Sequence, residues 1–229
     1  MKMIISYGMP KSASTFAWLV IKKICLNSRL DDVVDLSTAA KGNDSVEDYI
    51  DGSVKVNAAQ ITREVGERCC VIKTHSSAVH FRTLVGGSAF FLPFAQHRDP
   101  RDVALSLMDH ARRSRELGIA DYADCLSIEG CLPVIDSSIE NFIEWVDQYS
   151  AIPISYDYLC FNGLACLSFI ASALDCDVDC AAILKGFERK ESIAQFNKGI
   201  RHRWVDEMPQ AQARMLFRRY EEYYDRFGA

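Results

Sequence analysis

Apolar positions along the chain change period several times. Met3 to Tyr7 is a short, largely apolar stretch that stops at Gly8-Met9-Pro10. From Ser14 to about Leu26 the spacing becomes helical, with Phe16, Leu19, Val20, Lys23 and Ile24 three and four residues apart on a mainly apolar face. Strand, loop and helix are predicted in that order, with Ser14 or Thr15 as the helix cap. Cys69 to Lys73 and Ala89 to Gln96 are further apolar runs, and polar residues close each of them: Lys73-Thr74-His75 and His97-Arg98-Asp99-Pro100. Runs of this kind fit parallel strands buried on both faces. Ile152 to Tyr156 is predicted as a fourth strand, with Pro153 at an edge or strand start.

Helical spacing returns from Pro100 to about Glu116, from Ile135 to Tyr149, from Leu159 to Leu174, from Asp179 to Phe187 and from Gln210 to Phe227. Gly118 to Pro133 reads as a loop. Asp31 to Glu67 mixes charges with Gly42, Asn43, Asp44, Gly52 and Ser53, which predicts loops and one short helix from about Asn57 to Glu67. Strands alternating with helices imply an α/β fold with a central, mainly parallel sheet flanked by helices, whose ligands gather at the carboxyl ends of the strands. With 229 residues, 49% of them hydrophobic, the chain has enough apolar material for one domain spanning 1–229.

A net charge of −5 argues against a broad basic face for nucleic acid and leaves a small molecule as the expected partner. No stretch approaches the roughly 20 apolar residues of a membrane span, and the N-terminal run is too short for a signal peptide. The nine cysteines form no C-x-x-C pair and no zinc spacing, so they read as reduced packing residues in a cytoplasmic protein, with no metal site.

The loop before the first helix has the parts that an anion needs. A helix N-terminus offers unpaired N–H groups and a positive dipole end. Lys11 adds a charge, Ser12, Ser14 and Thr15 add hydroxyls, and small Ala13 lets the backbone approach a ligand. A nucleotide triphosphatase loop requires its lysine after a second glycine; here Lys11 comes before the Ser-Ala-Ser-Thr turn. Pro10 to Phe16 instead resembles the 5′-phosphosulfate loop of the sulfotransferases that use 3′-phosphoadenosine 5′-phosphosulfate (PAPS), with Ala13 where that family usually has glycine.

Two more clusters strengthen the resemblance. Arg98-Asp-Pro-Arg-Asp followed by Ser106 is similar to the family's 3′-phosphate motif in order and spacing. Ser106 lies eight residues after Arg98, two turns along the next helix, so a strand end and a helix face can meet one phosphate. Lys73-Thr74-His75 is similar to the family's strand end that carries the base, and histidine titrates in the right range for that task. Tyr156, in a segment like the family's adenine-side element, is either an adenine neighbour or an ordinary strand-end aromatic. Phe16 is either a stacking ring for adenine or a core residue. Phe196 to Trp204 resembles the late segment that closes over the 3′-phosphate: Lys198, Gly199 and Trp204 keep their places, Asn197 replaces an arginine, and Arg201 or Arg203 is the expected substitute.

The resemblance implies a sulfotransferase with a P-loop-like start, taking PAPS as co-substrate and releasing 3′-phosphoadenosine 5′-phosphate (PAP). It implies His75 as base, Lys11 facing the departing bridging oxygen, Lys73 facing the sulfuryl oxygens, and Ser106 binding the 3′-phosphate and restraining Lys11. The acceptor is a small molecule or carbohydrate, with sugars, phenols, lipids and natural products all open. A small-molecule kinase of related fold and a non-catalytic nucleotide-binding protein are the competing readings. His80, His97, His110 and His202 stand outside every motif and read as structural or surface residues.

Overall fold

One short strand divides the core in two, because its side chains point alternately to opposite faces. In β1 (Lys2–Gly8), Met3, Ile5 and Tyr7 belong to one buried cluster and Ile4 to another. The structure is a computed structural model that describes residues 2–28, 33, 63, 65–66, 68–85, 90–187 and 199–228.

After β1 come α1 (Ser14–Asn27), β2 (Cys69–Thr74), α2 (Ala78–Val85), β3 (Phe90–His97), α3 (Pro100–Glu116) and α4 (Ile128–Tyr149). β4 (Ile152–Ser155), α5 (Tyr156–Phe161), α6 (Gly163–Ala173), α7 (Cys180–Lys185), α8 (Trp204–Glu207), α9 (Gln210–Arg219) and α10 (Glu221–Phe227) complete the order. The strands form one parallel sheet in the order β2-β1-β3-β4. All four carboxyl ends therefore lie along one edge.

Helices cover both faces. Ile4, Val71, Phe94 and Ile154 pack with Trp18, Ile21 and Ile24 of α1 and with Leu167 and Ile170 of α6. Met3, Ile5, Tyr7, Ile72 and Ala95 pack with Val103 and Leu107 of α3, Phe142 and Trp145 of α4, and Leu216 and Tyr223 near the C-terminus. The α/β reading of the apolar pattern is correct: buried parallel strands read as runs because neither face meets water. None of the nine cysteines is in a disulfide, and six of them are buried. Among the described residues no helix is long and apolar enough to cross a membrane.

Four boundaries differ from expectation. α4 begins at Ile128, inside the stretch expected to be a loop, because Ser127 caps it by accepting from Gly130 N and because Ile128, Cys131 and Ile135 carry the buried face back to the cap. Pro133 sits in the helix near its start; Pro133 and Glu129 are both exposed, so water can reach the carbonyl that the proline cannot serve. β4 stops at Ser155, whose side chain caps α5, so Tyr156 opens a helix. The apolar period of 159–174 is broken at Asn162, and that of 210–227 at Tyr220. Most of the helix expected over Asn57 to Glu67 lies outside the described residues.

Candidate active site

The loop after β1 is tight because two backbones nearly touch. A Cβ at Gly8 would overlap Ser14 Cβ, so only glycine permits the chain to turn this closely back on α1. Lys11 and Ala13 both have left-handed backbones, with φ of 65° and 62°. This conformation costs a residue with a Cβ about 1–2 kcal/mol, which explains why a glycine is usual where Ala13 stands. Ala13 is also the helix cap position and makes no side-chain cap bond, so neither Ser14 nor Thr15 is the cap that was expected. Ser14 and Thr15 are instead buried at the first turn. The Ser12 hydroxyl donates to the Met9 carbonyl at 2.7 Å, so its proton serves the loop.

β1 and β2 place His75 beside that loop. The segment after β2 is anchored to α4, where Trp145 Nε1 donates to Ser76 O at 3.0 Å and Ala78 N donates to Glu144 Oε2 at 3.0 Å. His75 Nδ1 bonds the Gly8 carbonyl, which can only accept, so Nδ1 carries the proton and a neutral ring keeps its lone pair on Nε2. Lys73 Nζ, buried in the sheet edge, lies 3.4 Å from that Nε2. The pair thus presents a basic nitrogen beside an ammonium.

From β3, Arg98 reaches across the loop. Its Nη1 donates to Lys11 O at 3.2 Å, and Nη2 donates to Asp102 Oδ2 at 3.2 Å and Ile200 O at 2.8 Å. The ring of Tyr156 lies 3.8 Å from the guanidinium carbon, and burial pushes its hydroxyl up to about 12. Arg98 Nε is buried with no hydrogen-bond partner among the described residues. An orphaned donor of this kind, on a charged side chain held in place from three sides, suits an anion. Burial raises the Asp102 carboxyl above its ordinary range, and Arg98 opposes that shift.

Ser106 is buried on α3, two turns from Arg98. One turn further, His110 accepts a hydrogen bond from Lys11 Nζ at 2.8 Å. Burial above all, with Arg113 second, lowers Lys11 to about 8, against an opposing pull from Asp121. His110, expected to be a structural or surface residue, is half-buried and touches the lysine of the loop. Gln96 accepts from the Ser6 hydroxyl at 3.1 Å, and its buried Nε2 has no partner among the described residues. Neither residue belongs to a motif, and no spacing in the sequence distinguishes them.

The late segment docks on the same helix. Trp204 N donates to Asp102 Oδ1 at 3.1 Å, and the Trp204 ring lies 3.7 Å from the Arg101 guanidinium carbon. Gly199 has φ of 65°. Arg203 is buried and ion-paired with Asp109 and Glu207, whereas Arg201 is exposed. Lys198 and Asn197 lie outside the described residues. Phe16 is half-buried and meets Phe187 edge-on at 5.4 Å.

No family model matches the chain, and no curated protein matches it. Solved structures do. Mouse sulfotransferase SULT7A1 complexed with PAP superposes with a TM-score of 0.63 at 14% identity, over 97% of this chain and 83% of that one. The chain has the sulfotransferase fold. Retinol dehydratase in complex with retinol and PAP has the same relation to this sulfotransferase fold, with a TM-score of 0.58, 14% identity and coverage of 97% and 81%. The retinol dehydratase complex with androsterone and PAP gives 0.59, 13%, 97% and 80%. In this sulfotransferase fold the loop after β1, the end of β2 and the start of α3 share one edge, and Lys11, His75 and Arg98 stand there.

Proposed function

We propose that this chain, acting as one domain, is a sulfotransferase that moves a sulfuryl group from PAPS to a hydroxyl or amine of a small-molecule or carbohydrate acceptor. The observation that carries the reading is the bond from Arg98 to the Lys11 carbonyl, which joins the strand-end guanidinium and the loop into one anion-binding surface. The undonated Arg98 Nε fits a phosphate there. Nine cysteines without a disulfide agree with a cytoplasmic setting.

The donor supplies a sulfuryl group on a phosphate leaving group. Lys11, Ser14, Thr15 and the first turn of α1 hold the 5′ end, and Arg98 and Ser106 hold the 3′-phosphate. Ser12 and Ala13 shape the loop. Lys198 and Gly199 close over the 3′ side, and Tyr156 and Phe16 flank the adenine. His75 Nε2 takes the proton of the acceptor hydroxyl as its oxygen forms the new bond to sulfur. The bond from sulfur to the bridging oxygen breaks, its electron pair stays on that oxygen, and Lys11 meets the developing charge. Lys73 steadies the sulfuryl oxygens.

The test is an acceptor screen with PAPS on the wild type, His75→Ala and Lys11→Ala, together with calorimetry of PAP binding. Turnover should appear in the wild type and fall at least a hundredfold in both variants. Equal turnover in all three would sink the mechanism. A magnesium-dependent preference for ATP over PAP would move the assignment to a kinase, and PAP binding without any transfer would leave a nucleotide-binding protein.

A further inference from the structure

Lys11 is held by more than the loop that carries it. Its ammonium lies 2.8 Å from His110 Nδ1 and 5.7 Å from the centre of the Tyr122 ring. The same tyrosine meets His110 edge-on at 5.3 Å and 83°. Asp121 Oδ2 lies 3.7 Å from His110 Nε2, too far for a hydrogen bond but near enough to favour a proton on that nitrogen. An ammonium can only donate, so Nδ1 must carry a lone pair. The Asp121 carboxylate and the Lys11 ammonium therefore select one tautomer, with Nε2 protonated and Nδ1 accepting.

We propose that His110 is a positioning residue for Lys11, accepting its hydrogen bond at Nδ1 so that the ammonium is fixed in one place beside the phosphate-binding loop. The proposal rests on the sulfotransferase reading for its consequence in catalysis, and on geometry alone for the contact. A lysine side chain has about 2 kcal/mol of rotamer entropy to lose, so a free ammonium spends much of its time elsewhere. His110 sits one turn beyond Ser106 on the same face of α3, which ties the lysine to the helix that also grips the 3′ side. The charged and titratable groups around the imidazole are Lys11 from the loop, Arg113 from its own helix, and Asp121 and Tyr122 from the segment after α3. Burial, followed by Lys11, holds His110 below its ordinary value, which keeps Nδ1 free to accept at neutral pH.

Two variants separate the acceptor atom from the ring. His110→Phe keeps the bulk and removes the acceptor; His110→Asn places an amide oxygen where Nδ1 was. Steady-state kinetics with PAPS should show kcat about tenfold lower in His110→Phe, with KM for PAPS changed less than about twofold, and near wild-type values in His110→Asn. Labelling at pH 7.5 with trinitrobenzenesulfonate, read at Lys11 by peptide mass spectrometry, should be severalfold faster in His110→Phe, because the ammonium has lost its acceptor. It should return towards the wild-type rate in His110→Asn. Should the phenyl ring prevent folding, His110→Ala against His110→Asn poses the same contrast. Equal labelling of Lys11 in wild type and the acceptor-free variant overturns the proposal, whatever turnover does. A wild type that neither binds PAP nor transfers sulfate sinks the sulfotransferase reading instead, and the labelling arm still decides the role of His110.

Discussion

Arg98 Nη1 donates to the carbonyl of Lys11, and Arg98 Nη2 meets Asp102, buried at 2% exposure, on the helix that follows. One guanidinium thus serves the loop, the helix and the late segment at once. Arg98→Ala should weaken PAP binding at least fiftyfold by calorimetry, because the phosphate loses a charge-assisted donor. It should also lower stability by about 3 kcal/mol in denaturant titration, because the buried Asp102 carboxyl loses its ion-pair partner and keeps the Trp204 amide as a hydrogen bond. Adding Asp102→Asn should restore part of the stability and none of the binding. Full recovery of binding in the double variant would remove Arg98 from the nucleotide site.

The charge on Lys11 sets an alkaline limit. Lys11 titrates at about 8, lowered mainly by burial, so its charged form is lost as pH rises through that value. Sulfuryl transfer should fall on the alkaline side of about pH 8. In Lys11→Arg the guanidinium stays charged, so the residual activity should lack that limb. An unchanged limb in this variant assigns the titration to another group.

Ala13 holds a left-handed backbone at φ of 62° with a Cβ in place. Ala13→Gly removes that strain and adds some unfolded-chain entropy, and the balance should favour the variant by up to about 1 kcal/mol. A rise in Tm of roughly 2–4 °C is the expected reading for a chain of this size. A lower Tm would mean that the Ala13 methyl packs well enough to offset its backbone.

Acid should weaken the fold through His97. The ring is 4% exposed and titrates at about 4, lowered by burial, against an ordinary value of 6.5. Tyr223 gives its proton to Arg98 O at 3.2 Å and so accepts from His97 Nδ1 at 2.8 Å, a bond that a neutral ring can make. The unfolded chain binds the proton more readily, so the contribution is complete above about pH 6.5 and is lost as pH falls through about 4. Its size is about 3 kcal/mol. Denaturant midpoints from pH 7.5 to 4 should fall less steeply in His97→Gln than in the wild type, and parallel slopes would show that other groups govern acid unfolding.

The strands were legible because Cys69 to Lys73 and the run ending at Gln96 are buried on both faces and stop where polar residues meet the sheet edge. The start of α4 was not. Gly130 and Pro133 look like breakers, and only the cap bond from Ser127 with the buried side chains of Ile128 and Cys131 shows that the helix has already begun. That Lys11, His75 and Arg98 share one sheet edge was legible because each follows an apolar run that forms a parallel strand. The contact of His110 was not, since its partner is 99 residues away and is brought to it by the left-handed turn at Lys11. The unspent capping role of Ser14 has a similar cause: Gly8 and Ser14 approach so closely that the turn before α1 leaves the cap position to Ala13.

The bond from Arg98 to Ile200 O spans 102 residues of chain. At a synthesis rate of roughly 5–20 residues per second, Arg98 waits about 5–20 seconds for the carbonyl that holds it. During that interval a nascent chain can assemble β1, β2, β3 and the Lys11 carbonyl contact while the far side of the guanidinium stays open. If the proposed function holds, nucleotide affinity arrives late in translation, after the sheet, and chains stalled before the Ile200 segment emerges should fold their sheet edge without gaining tight PAP binding.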